Sequence, residues 1–299
     1  MDALVFAITP DAAVRQAKVK AGECHLMAYP VPADVESLRQ DPKLRVMDLT
    51  GMGIGFIAMN TTKKPFDDLR VRRAMNMAID KEAIVRVVYN GAGTPAGAAL
   101  PPLMWSHDAA IAGYPHDPEA AKRLLAEAGY PNGFATDLWA MPVQRPYNPN
   151  ARRMAEMVQA DLARIGVTLR IVTYEWGEYL KRVQAGEHSM ATLGWLSDNG
   201  DPDNFLGLLL GCEAARPGGI NLAKWCDREY DGLVTAAKRS TDLAERTALY
   251  RRAQALVHER APWIPVAYPT QHMVMSRKVT GYLSDGSAFH RLSTVGLGD

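Results

Sequence analysis

The chain has 299 residues, 47% of them hydrophobic, and its 34 basic and 33 acidic side chains leave a formal net charge of +1. This charge balance excludes a basic surface for nucleic acid or anionic lipid, and the apolar runs fall short of the roughly 20 residues that a membrane-spanning helix needs. The length suffices for two domains. Met1-Asp2 is followed by no basic segment or cleavage site, so the sequence alone predicts a cytoplasmic protein without a signal peptide.

The first fifty residues are predicted to alternate strand and helix. Apolar runs indicate strands, and a helix is expected to begin at Thr9-Pro10-Asp11, with the proline in its first turn, and to end at Gly22. The Gly-rich stretch Gly51–Gly55 lacks a lysine and a following helix, so we expect a backbone bend between strands rather than a phosphate loop. The predicted strands are Ala3–Ile8, Cys24–Tyr29 and Leu44–Thr50, with a short helix at Pro32–Gln40.

A second unit is predicted to begin at Phe56–Asn60. Apolar residues at helical spacing indicate two helices within Asp67–Val88, and a third helix is expected from Asp117 to Gly129. Gly91–Pro102 is predicted to be a loop. Later elements are predicted as helices at Asp227–Ser240 and Asp242–Arg260, a buried strand at Trp263–Tyr268, and a tail from Thr270 without a strong helix.

The middle of the chain carries a strand-helix-strand-helix-strand pattern, which predicts a parallel sheet with right-handed crossovers. In such a sheet, ligands bind beyond the carboxyl ends of the strands. The predicted elements are Ala135–Met141, Asn150–Ile165, Val167–Tyr174, Trp176–Ala185 and Met190–Leu196.

Two polar loops, rich in Pro and Asn, follow the first and last of these strands. One contains Arg145 and the other contains Asp198. Opposite charges on neighbouring loops can hold a small zwitterion, although Arg145 could also form a surface salt bridge, as we expect for Arg152 and Arg153. Asp201, ahead of Pro202, and the asparagines Asn148 and Asn150 are instead explained as helix caps.

Three aromatic residues, Tyr147, Trp176 and Trp195, neighbour the two charged positions and could either line a pocket or pack in the core. No catalytic motif stands out. His258-Glu259 lacks the second histidine of a zinc-binding helix, Gly200 disrupts a calcium loop, and no GxSxG motif is present. We therefore expect a binding protein with no metal and no cofactor.

Cys212 and Cys226 bracket a Gly- and Pro-rich loop, Glu213–Lys224. A disulfide between them would add about 3 kcal/mol by restricting the unfolded chain. Two free, buried cysteines are the alternative, and Cys24 has no evident partner.

Several stretches of the chain, from Asp2 to about His290, resemble the periplasmic dipeptide-binding proteins of peptide ABC transporters, which belong to extracellular solute-binding protein family 5. The chain resembles only the C-terminal three-fifths of such proteins. The stretches that carry the resemblance are Leu138–Met157, Tyr174–His188, Asp198–Phe205, Lys224–Cys226, Phe66–Ala74 and Gly91–Thr94.

The resemblance implies a periplasmic-binding-protein-like α/β fold of two lobes. Residues 51–268 would form a complete second lobe, a mixed or parallel sheet flanked by helices, and residues 1–50 and 269–299 would form part of the first lobe. In this comparison the part of the first lobe that supplies backbone contacts to the ligand is absent, and the disulfide partner of Cys24 lies in that absent part.

The resemblance also implies a function. Arg145 would bind the carboxylate of a dipeptide and Asp198 its ammonium, and a monomeric, periplasmic, non-catalytic protein would deliver the ligand to the permease of an ABC transporter. Leu196-Ser197 replaces a more polar pair that usually precedes this aspartate, which could alter side-chain selectivity. A carrier of longer peptides or haem on the same fold, and a peptidase, are the alternatives.

Overall fold

The computed structural model describes residues 3–284, 286–287 and 289–298. Met1, Asp2, Asp285, Ala288 and Asp299, which belong to the two segments predicted to form the first lobe, lie outside the described residues. The predicted α/β class is confirmed: helices pack on a mixed sheet of eight strands. Its strands are β1 (Leu26–Ala28), β2 (Leu44–Thr50), β3 (Gly53–Met59), β4 (Gly93–Pro95), β5 (Ala135–Trp139), β6 (Thr168–Val172), β7 (Met190–Leu196) and β8 (Trp263–Ser276).

Most of the helices begin where the sequence places a capping side chain. Asp or Asn side chains accept a backbone N–H in the first turn of most of them, and each such cap stabilises a helix by about 1 kcal/mol. Examples are Asp11, Asp117 and Asn150. The helices are α1 (Ala12–Ala21), α2 (Val35–Arg39), α3 (Leu69–Ala78), α4 (Lys81–Val88), α5 (Pro118–Glu127), α6 (Ala151–Ala163), α7 (Trp176–Ala185), α8 (Asp203–Leu210), α9 (Arg228–Arg239) and α10 (Leu243–Arg260).

The sheet has the order β1-β8-β3-β7-β5-β6. The predicted parallel pairing is confirmed, since β5 runs parallel to both β6 and β7. Strand β8 is 14 residues long and changes partners along its length. Its first half pairs antiparallel with β3 and β4, and its second half pairs antiparallel with β2 and β1. Two short strands, β9 (Val279–Thr280) and β10 (Gly296–Leu297), form a separate ribbon.

The buried apolar side chains form one large cluster and two small ones. The large cluster draws its members from Ile54 to Tyr268, which lie on both faces of β3 and β7 and on the helices around them. Both small clusters are built on the second half of β8. The division into lobes at residues 50/51 and 268/269 stays a prediction.

The predictions for Ala3–Ile8 and for Gly91–Pro102 are wrong. Ala3–Ile8 is not a strand: no described strand pairs with it, and Val5 and Ile8 are 84% and 88% exposed. Apolar composition alone therefore does not make a strand where the backbone has no hydrogen-bonding partner. The predicted loop Gly91–Pro102 contains the short strand β4, which pairs with β8.

Candidate functional site

Both candidate loops leave the same edge of the sheet. In the parallel pair β5 and β7, Leu138 lies opposite Met190 and Trp139 opposite Ala191. The chain leaves β5 through residues 140–150 and leaves β7 through residues 197–202. Parallel strands end on one side, so these loops are neighbours, as the sequence predicted.

The loop after β5 is closed by its own backbone. The amide of Arg145 donates to the carbonyl of Asn148 at 3.0 Å, and the amide of Asn148 donates back to Arg145 at 3.0 Å. Asn148 is buried, and its side chain accepts from the amide of Asn150 at 3.2 Å, while Asn150 caps α6 as predicted. The turn that carries Arg145 is therefore fixed to the start of a helix.

Tyr147 packs directly on the sheet because two strand positions are glycine. A Cβ at Gly194 would lie 2.3 Å from the ring of Tyr147, and a Cβ at Gly55 would lie 2.4 Å from its carbonyl oxygen. The hydroxyl of Tyr89 also donates to this carbonyl, at 2.9 Å. Burial raises the pKa of Tyr147 to about 12, with the charge of Arg145 acting in the opposite direction. Tyr147 is therefore a neutral hydrogen-bonding group.

The guanidinium of Arg145 lies over the indole of Trp176, 4.8 Å from the ring centre. Trp176 is the first residue of α7. Throughout the part of the chain that the structure describes, no carboxylate forms a salt bridge with Arg145, so the alternative of a surface salt bridge is wrong. Arg152 and Arg153 do pair with Glu156, at 2.8 and 3.6 Å, as predicted.

The loop after β7 holds two aspartates in different surroundings. Asp201 pairs with Arg246 at 2.7 Å. Its side chain also accepts the amide of Asp203, so it supports the helix start as predicted, although α8 begins one residue later than expected. Asp198 is exposed, and no cation among the described residues forms a salt bridge with it.

Asn204, which the sequence analysis missed, links Asp198 to Trp195. Its Oδ1 accepts from Nε1 of Trp195 at 2.9 Å and from the amide of Asp198 at 3.0 Å, and its Nδ2 donates to Oδ2 of Asp198 at 3.2 Å. No motif would have indicated this role, because the asparagine is the second residue of helix α8 and its partners lie outside that helix.

The predicted site residues are thus joined by a continuous series of contacts. Arg145 lies on Trp176, and two residues further on Tyr147 packs on Gly194. Gly194 precedes Trp195, which is tied through Asn204 to Asp198. Within the described residues the site has one cation, Arg145, and one anion, Asp198, that form no salt bridge, and aromatic side chains take part in the contacts that join them.

The predicted disulfide between Cys212 and Cys226 is present and spans 14 residues. Inside its loop, the ammonium of Lys224 donates to the carbonyls of Gln184, Arg216 and Gly219. The loop is thereby tied to the end of α7. Cys24 is a free cysteine.

The described residues contain no group of three or more His, Cys, Asp or Glu side chains placed to hold a metal ion. Among the helices that the structure describes, none combines the length and the apolar composition that crossing a membrane requires.

Comparison with known proteins defines the class. Residues 1–216 match the family model of bacterial extracellular solute-binding proteins, family 5, middle region. The chain is 48% identical over 297 residues to the dipeptide-binding protein of Escherichia coli K12, covering 99% of this chain and 55% of that protein. It is also 48% identical over 299 residues to heme-binding protein A of Haemophilus influenzae, covering 99% of this chain and 54% of that protein. The chain therefore belongs to family 5 of the bacterial extracellular solute-binding proteins.

Solved structures agree with this assignment. The dipeptide-binding protein of Pseudoalteromonas sp. SM9913 in complex with Met-Leu has a TM-score of 0.90 and 41% identity, over 97% of this chain and 57% of that one. The periplasmic binding protein DppA of Helicobacter pylori in complex with the peptide STSA has a TM-score of 0.90 and 37% identity, over 97% of this chain and 56% of that one. The chain spans about half the length of the relatives it matches.

Proposed function

We propose that this chain contributes to the binding of dipeptides through their charged ends, with Arg145 holding the carboxylate and Asp198 the ammonium. The observation that carries this proposal is the pair of opposite charges without salt-bridge partners in the described residues, on loops that follow adjacent parallel strands. A guanidinium matches a carboxylate with two parallel hydrogen bonds, and such charge-assisted bonds are about twice as strong as neutral ones. Relatives whose names describe dipeptide binding support the proposal.

Two fixed charges also select ligand length. A dipeptide places its termini at one separation, whereas a longer peptide would leave either Arg145 or Asp198 unpaired in the closed site. An unpaired buried charge costs about 3–5 kcal/mol. Tyr147, Trp176 and Trp195 then form the walls between the charged ends, contacting the peptide without competing for its charges.

In this proposal residues 51–268 form one lobe, residues 1–50 and 269–299 contribute to the other, and the ligand lies between them. The protein is a monomer in the periplasm that passes its ligand to the permease of an ABC transporter, and it catalyses no reaction. The family supports this, since its members are extracellular solute-binding proteins. The separate cores on either side of the proposed boundaries support the lobes.

The test is a titration of L-Ala-L-Ala into the 299-residue chain, followed by NMR of labelled backbone amides. We expect saturable shifts near Arg145 and Asp198, and a loss of affinity of at least about 100-fold in Arg145→Ala or Asp198→Ala, because each substitution strands one ligand charge. Arg152→Ala, which removes only a surface salt bridge, is the matched control. Unchanged affinity in both site variants would refute the assignment.

The second candidate is a carrier of longer peptides or of haem. Relatives that bind the peptide STSA, or that are named for haem, favour it. Titration with tetra-alanine and with haemin separates the candidates: preference for either over the dipeptide would support the second one. Incubation with a labelled dipeptide tests the peptidase alternative, which release of free amino acids would support.

A further inference from the structure

We infer that Asn204 is a positioning residue, which orients the carboxylate of Asp198 toward a ligand ammonium while leaving its charge intact. This inference rests on the proposed function, because it assigns Asn204 a role only through Asp198. It extends that function to a side chain that itself need not contact the ligand.

The geometry fixes Asp198 at two points. Oδ1 of Asn204 accepts from the amide of Asp198 at 3.0 Å, which holds the backbone, and Nδ2 of Asn204 donates to Oδ2 of Asp198 at 3.2 Å, which holds the side chain. One carboxylate oxygen is thereby engaged by a neutral donor, and the other remains available. Rotation of the carboxylate away from its site would break the second bond.

The asparagine is itself held from two sides. Its backbone amide donates to the carbonyl of Asp201 at 3.0 Å, in the turn that leads into α8, and its Oδ1 also accepts from Nε1 of Trp195 at 2.9 Å. Trp195 belongs to β7, so the side-chain amide of Asn204 links this strand to helix α8. A side chain fixed in this way loses little freedom when the ligand binds.

The contrast with Asp201 shows why a neutral partner matters. Asp201 lies three residues from Asp198, but Arg246 neutralises it at 2.7 Å. An arginine or lysine in place of Asn204 would neutralise Asp198 in the same way and compete with a ligand ammonium. An amide donor orients the carboxylate without cancelling its charge.

The test compares two probes, L-Ala-L-Ala and N-acetyl-L-Ala-L-Ala, titrated into the 299-residue chain and followed by NMR. For L-Ala-L-Ala, which has a free ammonium, we expect Asn204→Ala to weaken binding about tenfold, which corresponds to about 1.4 kcal/mol. For the acetylated peptide, which has no ammonium, we expect no change. In an Asp198→Ala background, Asn204→Ala should have no further effect on either probe.

One control variant isolates the effect. Asn199→Ala removes an exposed asparagine of the same loop, whose side chain accepts from the amide of Asp201 at 2.9 Å, and we expect it to leave binding unchanged. If Asn199→Ala reproduces the tenfold loss, or Asn204→Ala weakens both probes equally, Asn204 is merely structural and the inference is overturned.

If the proposed function is wrong, the affinities of the variants for the two probes follow a different pattern. If Asp198→Ala leaves the preference for the free amine unchanged, or no saturable shift is seen in the unmodified chain, the proposed ammonium site itself is wrong. If Asp198→Ala abolishes that preference and Asn204→Ala retains it, only the positioning role fails.

Discussion

At the scale of single residues, the site depends on small side chains as much as on charged ones. Arg145 and Asp198 supply the charges, but the loop that carries Arg145 reaches the sheet only because Gly55 and Gly194 leave room for Tyr147. A glycine inside a strand costs conformational entropy. In β3 and β7 this cost allows the loop that carries Arg145 to lie directly on the backbone of both strands.

We predict that Gly194→Ala destabilises the protein by about 1–3 kcal/mol, because the new Cβ would lie 2.3 Å from the Tyr147 ring and the loop must shift. Urea unfolding measures the loss. Gly232→Ala is the matched control: it lies in α9 with no atom within 4 Å of the new Cβ, and should stabilise the protein by about 0.5–1 kcal/mol. Equal stability of the two variants would contradict the proposed packing of Tyr147.

His188 is a buried residue whose protonation affects the stability of the protein. It is fully buried, its Nε2 donates to the carbonyl of Leu222 at 2.9 Å, and burial lowers its pKa from 6.5 to about 4. The folded protein therefore disfavours the charged imidazole, while the unfolded chain takes up a proton below pH 6.5. The contribution of His188 to stability is fully present above pH 6.5 and falls as the pH drops towards 4.

We predict that the free energy of unfolding decreases between pH 6.5 and pH 4, with His188 contributing roughly 3 kcal/mol of the decrease. Chemical denaturation across this range provides the measurement. His188→Gln, which cannot be protonated, should show a correspondingly smaller decrease. The same pH slope in both proteins would mean that other groups dominate.

At the scale of secondary structure elements, prediction from sequence succeeded where a capping residue and an apolar period coincided. Helix α7 and strand β7 were predicted with the bounds that the structure shows. The loop after β5 was also predicted to end at the cap of α6. In each case the information lies within a few neighbouring residues.

Prediction failed where distant parts of the chain decide the outcome. Strand β8 continues beyond Tyr268 through the polar residues Thr270 to His272, because β2 provides a partner there. Ala3–Ile8 has strand-like composition but lacks such a partner. Asn204 was missed for the same reason, since its bonds to Trp195 and Asp198 depend on how a helix meets a strand. The lobe boundaries came only from the family resemblance.

The disulfide loop gives a prediction at this scale. Reduction, or Cys212→Ser with Cys226→Ser, should destabilise the protein by about 3 kcal/mol, because the bond closes a 14-residue segment of the unfolded chain. Thermal unfolding with and without reductant tests this. Cys24→Ser should melt like the oxidised parent. An unchanged melting temperature on reduction would show that the ammonium of Lys224 and its three carbonyl partners hold the loop without the disulfide.

At the scale of the whole molecule, stability is unevenly distributed. The large cluster fills the region between β3, β7 and the helices, whereas each small cluster contains only a handful of side chains. Regions with few buried apolar contacts open locally at lower free energy. The two small clusters should therefore open before the rest of the molecule.

We predict that backbone amides in β1 and β2 exchange with solvent faster than those in β3 and β7. Hydrogen–deuterium exchange followed by mass spectrometry resolves these segments. The faster exchange should extend into the second half of β8, which pairs with β1 and β2, but not into its first half. Uniform protection along β8 would show that the three clusters unfold as one unit.

The change of partners within β8 also has a mechanical consequence. Its pairing passes from β3 and β4 to β2 around Pro269 and Thr270. Proline has no N–H to donate to a neighbouring strand, so β8 loses one backbone hydrogen bond at this step. Bending or twisting of one end of the molecule against the other would concentrate at Pro269 and Thr270. A force applied to the residues that follow β8 would be transmitted along β8 to β3, the strand that lies between β8 and β7.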